Sequence, residues 1–292
     1  MQQSRHFNFR APALLPMYGK AILSRSSAKQ NKPRAEAIPP IEATLTGVRT
    51  DTTGIRDYRR VCGFSVSNRC PIIWPHILAF PLHVRLLTDA TFPLPLLGLV
   101  HLRNHIEQQR SIGQGEVLEL SASLANATDT EKGIEFDIVT AAMATGREIW
   151  REHSTILYRQ PAPDQQKKGP AAAPIMLQEQ TSIQAPGNIG YRYGRVSGDM
   201  NPIHLHALSA RAFGFPRNIA HGMWSKARCL ATLEQTEPPL ENVRVDAQFK
   251  TPFFLPGTAI LTWARGATPT MPFRLLNKDA SAPHLEGSIE WV

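Results

Sequence analysis

A chain of 292 residues, 42% hydrophobic and 19% charged, has the length of about two ordinary domains and enough apolar material for a sizeable core. Its formal charge of +8 does not mark a nucleic-acid-binding face. Arg5, Arg10, Lys20, Arg25, Lys29, Lys32 and Arg34 supply seven of the 32 basic residues before any acid occurs, and leave 25 basic against 24 acidic.

The basic N-terminal arm, residues 1–40, contains one short helix-like run at Ala13–Leu23 and ends in Ile38, Pro39 and Pro40. A first body follows at 41–160. It carries Tyr58, Arg60, Val61 and Gly63 ahead of Phe64, then Trp74, Pro75 and His76 leading into an apolar run to Leu87. Pro81 inside that run predicts a bend or break that widens the space beside it. Runs rich in β-branched and aromatic residues predict strands at 99–108, 116–122, around Ile134, Phe136 and Ile138, and at 148–159. Residues 161–174, rich in proline and alanine and without periodicity, read as an interdomain linker.

The second body, 175–292, repeats the frame. Tyr193, Arg195, Val196 and Gly198 lie at the offsets of Tyr58, Arg60, Val61 and Gly63, and Ala220-His221 leads into a helix over Gly222–Leu233 as Pro75-His76 leads into the earlier run. Strands are expected at 243–250 and 258–264. Periodicity thus gives two α+β units, each with one apolar helix and several strands. Cys62, Cys70 and Cys229 are odd in number, with no C-x-x-C and no zinc spacing. Reduced thiols in a cytoplasmic protein are expected. No apolar run has membrane-spanning length, so no membrane insertion is expected.

The chemistry concentrates at 193–223. Asp199 and His204 stand five residues apart, with Gly198 and Asn201-Pro202 marking turn backbone, and Gly222 opens the helix soon after. A carboxylate and an imidazole beside a helix N-terminus suit proton transfer next to a carbonyl, with a backbone N–H of Gly222 to hold the oxyanion. Ser197 and Asn201 are expected to orient the loop, and His221 to support it. Taken singly, Asp199 reads as an Asx-turn or helix cap, and Gly222 as a close-packing glycine. In the first body Phe64 replaces Asp199, and the histidine loop is missing.

The stretch Tyr193–His204, with Ile219–Met223, resembles the signature of the MaoC-like hydratases and dehydratases, and the two-body order resembles the 3-hydroxyacyl-thioester dehydratases built of two units. His206-Ala207 departs from the Asp-Pro usual in that family. The resemblance implies a double hot-dog fold, each unit a long helix wrapped by an antiparallel sheet, with the first degenerate and the second catalytic. It implies interconversion of (R)-3-hydroxyacyl and trans-2-enoyl thioesters of CoA or acyl carrier protein, with Asp199 and His204 as the acid–base pair and Gly222, His221, Ser197 and Asn201 around the substrate. No cofactor and no metal are expected, and either a monomeric pseudo-dimer or a homodimer fits. Arg217, Lys226 and Lys250 are candidates to meet phosphates. A thioesterase on the same fold and a non-catalytic acyl-thioester-binding subunit are the competing readings.

Overall fold

The computed structural model describes residues 33–51, 53–96, 98–160, 177–235, 240–265 and 269–292. The expected helix at Ala13–Leu23 and the linker at 161–174 lie outside the described residues. The chain divides into two compact units. The first takes Met1–Arg49, Pro75–Asn104 and Glu116–Gly169; the second takes Thr50–Trp74, His105–Gly115 and Pro170–Val292. Residues 50–74 and 105–115 thus group with the C-terminal half of the chain.

In chain order the elements are β1 (Glu42–Arg49), α1 (Thr53–Cys62), α2 (Trp74–Leu87), β2 (Leu99–Gln108), β3 (Val117–Thr130), β4 (Gly133–Ala144), β5 (Arg147–Arg159), β6 (Glu179–Ala185), α3 (Ile189–Ser197), α4 (Pro202–Leu205), α5 (Ala207–Arg211), α6 (Gly222–Leu233), β7 (Val243–Phe249), β8 (Gly257–Trp263), β9 (Thr270–Asn277) and β10 (Pro283–Trp291).

In the first unit the sheet order is β1-β3-β4-β5-β2, with antiparallel pairing that sets Leu120 opposite Ala142 and Phe136 opposite Ile156. Alternation along β3 buries Leu118, Leu120, Ala122 and Leu124, the face that meets the core. Helix α2 packs on this sheet through polar contacts as well as apolar ones: His83 Nε2 lies 2.8 Å from Thr140 Oγ1 on β4, and His76 Nδ1 2.8 Å from Glu152 Oε2 on β5. The expected break at Pro81 does not occur. α2 runs through it as one helix, because only the single bond from residue 81 to the Ile77 carbonyl is lost and a mostly buried helix face holds the rest in place.

In the second unit the order is β7-β10-β9-β8-β6, again antiparallel, with Gly287 opposite Phe273 and Leu261 opposite Leu275. Helix α6 is buried on nearly every side, from Met223 and Trp224 to Leu230 and Leu233. Even Lys226 is 0% exposed, its Nζ donating to the Val245 carbonyl of β7 at 3.1 Å. That position removes Lys226 from the candidates for phosphate contact. Lys250 pairs with Glu286 at 3.2 Å, and Arg217 lies over the Phe254 ring at 5.6 Å.

The internal repeat is visible inside this second unit. Helices α1 and α3 carry the two copies of the motif, and each ends in a left-handed glycine, Gly63 at φ +82° and Gly198 at φ +84°. Their tyrosines meet: the Tyr58 and Tyr193 rings have centroids 6.2 Å apart.

Candidate active site

The site loop starts where α3 ends. Gly198 turns the chain in the left-handed region, its N–H still bonded to the Gly194 carbonyl at 2.8 Å. Two interlocked turns follow. Ser197 Oγ accepts from the Asp199 N–H at 3.2 Å, and Asp199 Oδ1 accepts from the Asn201 N–H at 3.1 Å. Asn201 then caps α4, its Oδ1 accepting from the Ile203 N–H at 3.3 Å, with Pro202 at the first helical position. Ser197 and Asn201 therefore act on the backbone that presents Asp199 and His204. His206 caps α5 through Nδ1, so a short acceptor persists where the Asp-Pro pattern is absent.

The segment before α6 closes the site. Ile219 bridges antiparallel to Phe254, and its N–H donates to the Ile203 carbonyl at 3.2 Å. The Ile219 carbonyl accepts from His204 Nδ1–H at 2.9 Å, which fixes the tautomer and leaves Nε2 as a bare lone pair. Burial pushes the His204 imidazole below its ordinary value, opposed by the Asp199 carboxylate and the bond to Ile219. His221 stacks on His204 with centroids 3.7 Å apart, and its Nε2–H donates to the Asp199 carbonyl at 3.0 Å. Burial first, and then His204, push His221 down to about 3, so this ring is a neutral support.

Side-chain atoms of Asp199, His204 and His221 lie within 4.8 Å of one another. The sequence-expected residues are thus brought together. Asp199 retains 29% side-chain exposure while His204 and His221 are buried, so the carboxylate stands at the open side. Three potential metal ligands meet here. A mono-bonded His221 Nε2 and an acid held in an Asx-turn are already committed to backbone, and that donor set favours proton transfer over coordination.

Gly222 is the first residue of α6, whose opening N–H groups have no intrahelical acceptor, and the His221 side chain does not cap them. Those donors follow directly on His221, with the helix dipole behind them. A side chain at Gly222 would also meet the Phe249 ring, at 2.9 Å, so close packing and the donor role coincide at one residue.

Two glycines that the motif spacing did not single out shape the site. A Cβ on Gly190 would stand 1.9 Å from the His204 carbonyl oxygen, and one on Gly194 2.7 Å from the Asp199 carbonyl oxygen. Helix α3 can lie against the loop only because both lack side chains. Gly190→Ala is expected to displace His204 and lower turnover at least tenfold, whereas Gly187→Ala, with Pro256 3.6 Å away, should leave it within twofold; rate assays on the two purified variants check this. Asn218, buried, adds a second brace by donating to the His204 carbonyl at 3.3 Å. The spacing of glycines along a helix hints at close approach, but the partner they approach is set by the fold.

Residues 175–260 match the MaoC like domain. Over 264 residues, 88% of this chain and 91% of the relative, the chain is 32% identical to 3-hydroxyacyl-thioester dehydratase X of Mycobacterium tuberculosis. The crystal structure of that protein, HtdX, superposes with a TM-score of 0.75 at 30% identity, covering 86% of this chain and 100% of the other. A MaoC-like dehydratase from Phytophthora capsici matches in fold at a TM-score of 0.72 and 18% identity, over 89% of this chain and 98% of its own. The α+β architecture is therefore a double hot-dog.

Proposed function

We propose a hydratase/dehydratase activity on one premise: the chain belongs to the MaoC-like dehydratase family. The substrate is an acyl thioester, and the reaction interconverts a 3-hydroxyacyl and a trans-2-enoyl form, of (R) configuration as in the family pattern. One observation carries this reading. His204, locked by its Nδ1–H bond to Ile219, presents a bare Nε2 beside the Asp199 carboxylate and near the first N–H groups of α6.

Hydration requires a proton to leave water, oxygen to bond C3, and a proton to reach C2. Neutral His204 takes the proton from a water held between Nε2 and Asp199. As hydroxide adds, the C2–C3 π electrons move toward the thioester oxygen. The N–H of Gly222 meets that developing charge, and the Asp199–His204 pair returns a proton to C2. Dehydration runs the same steps backward: C2 loses a proton, and the C3 hydroxyl leaves as water. Each positioned group contributes about 10²–10⁴-fold.

The roles of the two sequence halves belong to the same reading: residues 175–292 act, and residues 41–160 carry the degenerate copy of the repeat, in which Phe64 fills the position of Asp199 and stacks on Tyr58 at 6.1 Å. Among the described residues no helix is long and apolar enough to cross a membrane. Cys62, Cys70 and Cys229 are buried free thiols, which supports placement in a reducing compartment such as the cytoplasm.

Crotonyl-CoA tests the activity: loss of enoyl absorbance without release of free thiol is the expected result, while thiol release would point to thioester hydrolysis instead. The pH profile tests the base. Because burial lowers His204, it stays neutral below the ordinary imidazole value of 6.5, so kcat/KM is expected to hold constant down through that pH and to fall only in more acidic solution. An acid limb at or above 6.5 would contradict the assignment.

A further inference from the structure

Helix α1 carries the degenerate copy of the repeat, yet it belongs to the second unit together with the candidate site, and two separate sets of contacts tie it there. The first is a column of rings. Tyr58 of α1 is 0% exposed; Phe64 and Trp74 pack on it with centroids 6.1 and 5.4 Å away, and Tyr193 of α3 lies at 6.2 Å. Tyr193 in turn stands 4.8 Å from the His221 ring, and His221 stacks on His204 at 3.7 Å. Every member of the column is buried.

The second set comes from α6. Trp224 Nε1–H donates to the Val61 carbonyl at 3.2 Å and Arg228 to the Cys62 carbonyl at 2.9 Å, so side chains four residues apart on α6 satisfy the last carbonyls of α1. The Arg228 cation also complements the negative end of the α1 dipole. Gly63 permits this approach, since a Cβ there would overlap the Arg228 guanidinium. The helix that opens at Gly222 thus holds α1, while the Tyr58 ring of α1 connects through Tyr193 and His221 to the His204 imidazole.

We propose that Tyr58 is a positioning residue for the reaction: its ring, in the half of the chain that lacks the acid, sets where the His221 and His204 rings lie against Asp199. A close-packed interior transmits a change of shape instead of absorbing it. Phe64 belongs to the same packing, because a carboxylate at that 6% exposed position would be buried against the Tyr58 ring. The inference rests on the acid–base reading of His204. The titratable groups facing His204 are Asp199 and His221; beside Tyr58 stand Tyr193 and Cys62, with Arg228 next to Cys62. Burial is the main cause that holds His204 below its ordinary value, so loosening the column admits water and lets the imidazole recover.

Tyr58→Leu tests this. Its kcat/KM for hydration is expected to fall about tenfold or more, within the ~10²-fold that a displacement of about 1 Å costs, and its acid limb to move up toward 6.5. Imidazole titration followed by NMR, which needs no turnover, should show the same upward move. Tyr58→Phe keeps the ring and should match the unmodified chain in rate and limb. Phe92→Ala removes a buried ring that packs on Phe136 at 5.6 Å in the first unit; it should lose stability and leave the limb in place. Should Tyr58→Leu not fold, Tyr58→Met, with a flexible side chain to fill the gap, carries the same measurements. A folded variant without the ring that keeps both rate and limb would overturn the proposal, as would a Phe92→Ala variant that moves the limb equally. Unchanged turnover in Asp199→Asn would sink the acid–base reading instead, and the NMR titration would still report whether Tyr58 places His204.

Discussion

Asp199→Asn is expected to lower hydration of an enoyl thioester by about 10²–10⁴-fold while leaving the loop in place. The loop survives because Asn keeps the oxygen that accepts from the Asn201 N–H, and two further contacts, Asp199 N–H to Ser197 Oγ and Asp199 carbonyl to His221, are made by its backbone. What is lost is the negative charge beside the imidazole. That charge raises His204, so its removal lowers His204 further, and the residual activity should show an acid limb displaced to lower pH. Steady-state rates across pH, with acyl-thioester binding measured separately, read both effects. Unchanged turnover would turn the loop into a structural feature of a binding subunit.

The largest loss of stability is expected at Glu152 in the first unit. This carboxylate is 0% exposed on β5, and it accepts from His76 at 2.8 Å and from Asn104 Nδ2 at 2.6 Å; Asn104 also donates to Ser154. Glu152→Ala leaves His76 and Asn104 short of an acceptor in the core. Truncating one side of a buried pair of this kind costs about 3–5 kcal/mol. Burial alone would raise Glu152, but His76 and Asn104 outweigh it and hold the carboxyl at about 2. A folded-state value below the unfolded one stabilises the fold at pH above the ordinary carboxylate value of 4.5, and the gain disappears as pH falls toward 2. Urea unfolding should therefore show a gap between the two proteins at pH 7 that narrows between pH 4.5 and 2. A gap independent of pH would mean that lost packing, not charge, sets the cost.

How much of this was readable before folding depends on whether the cause is local. Helix α6 and strand β2 fall where apolar spacing places them, and Gly198, legible as turn backbone, takes the αL conformation, as Gly63 does at the matching position of the repeat. Strand β3 was expected to stop at 122 yet continues to Thr130. A register shift between Ala125 and Thr128, with Asn126 at φ +52°, breaks the alternation that a period-two pattern relies on. The order of chemical groups in the site loop was legible because its turns are made by neighbours two residues apart. The braces were not. Gly190 against the His204 carbonyl, and His76 against Glu152 across 76 residues, exist only through tertiary contact. Lys226 misled for the same reason: a basic residue near a helix start reads as exposed until a β7 carbonyl claims it.

The meeting of Tyr58 with Tyr193 has a genetic side. In an assembly of identical single units, a tyrosine at that place would meet its own copy, and one codon change would alter both partners together. Fusion into one reading frame makes them two loci that mutate independently. A change at position 64 then alters one copy of the motif and leaves Asp199 in the other copy untouched.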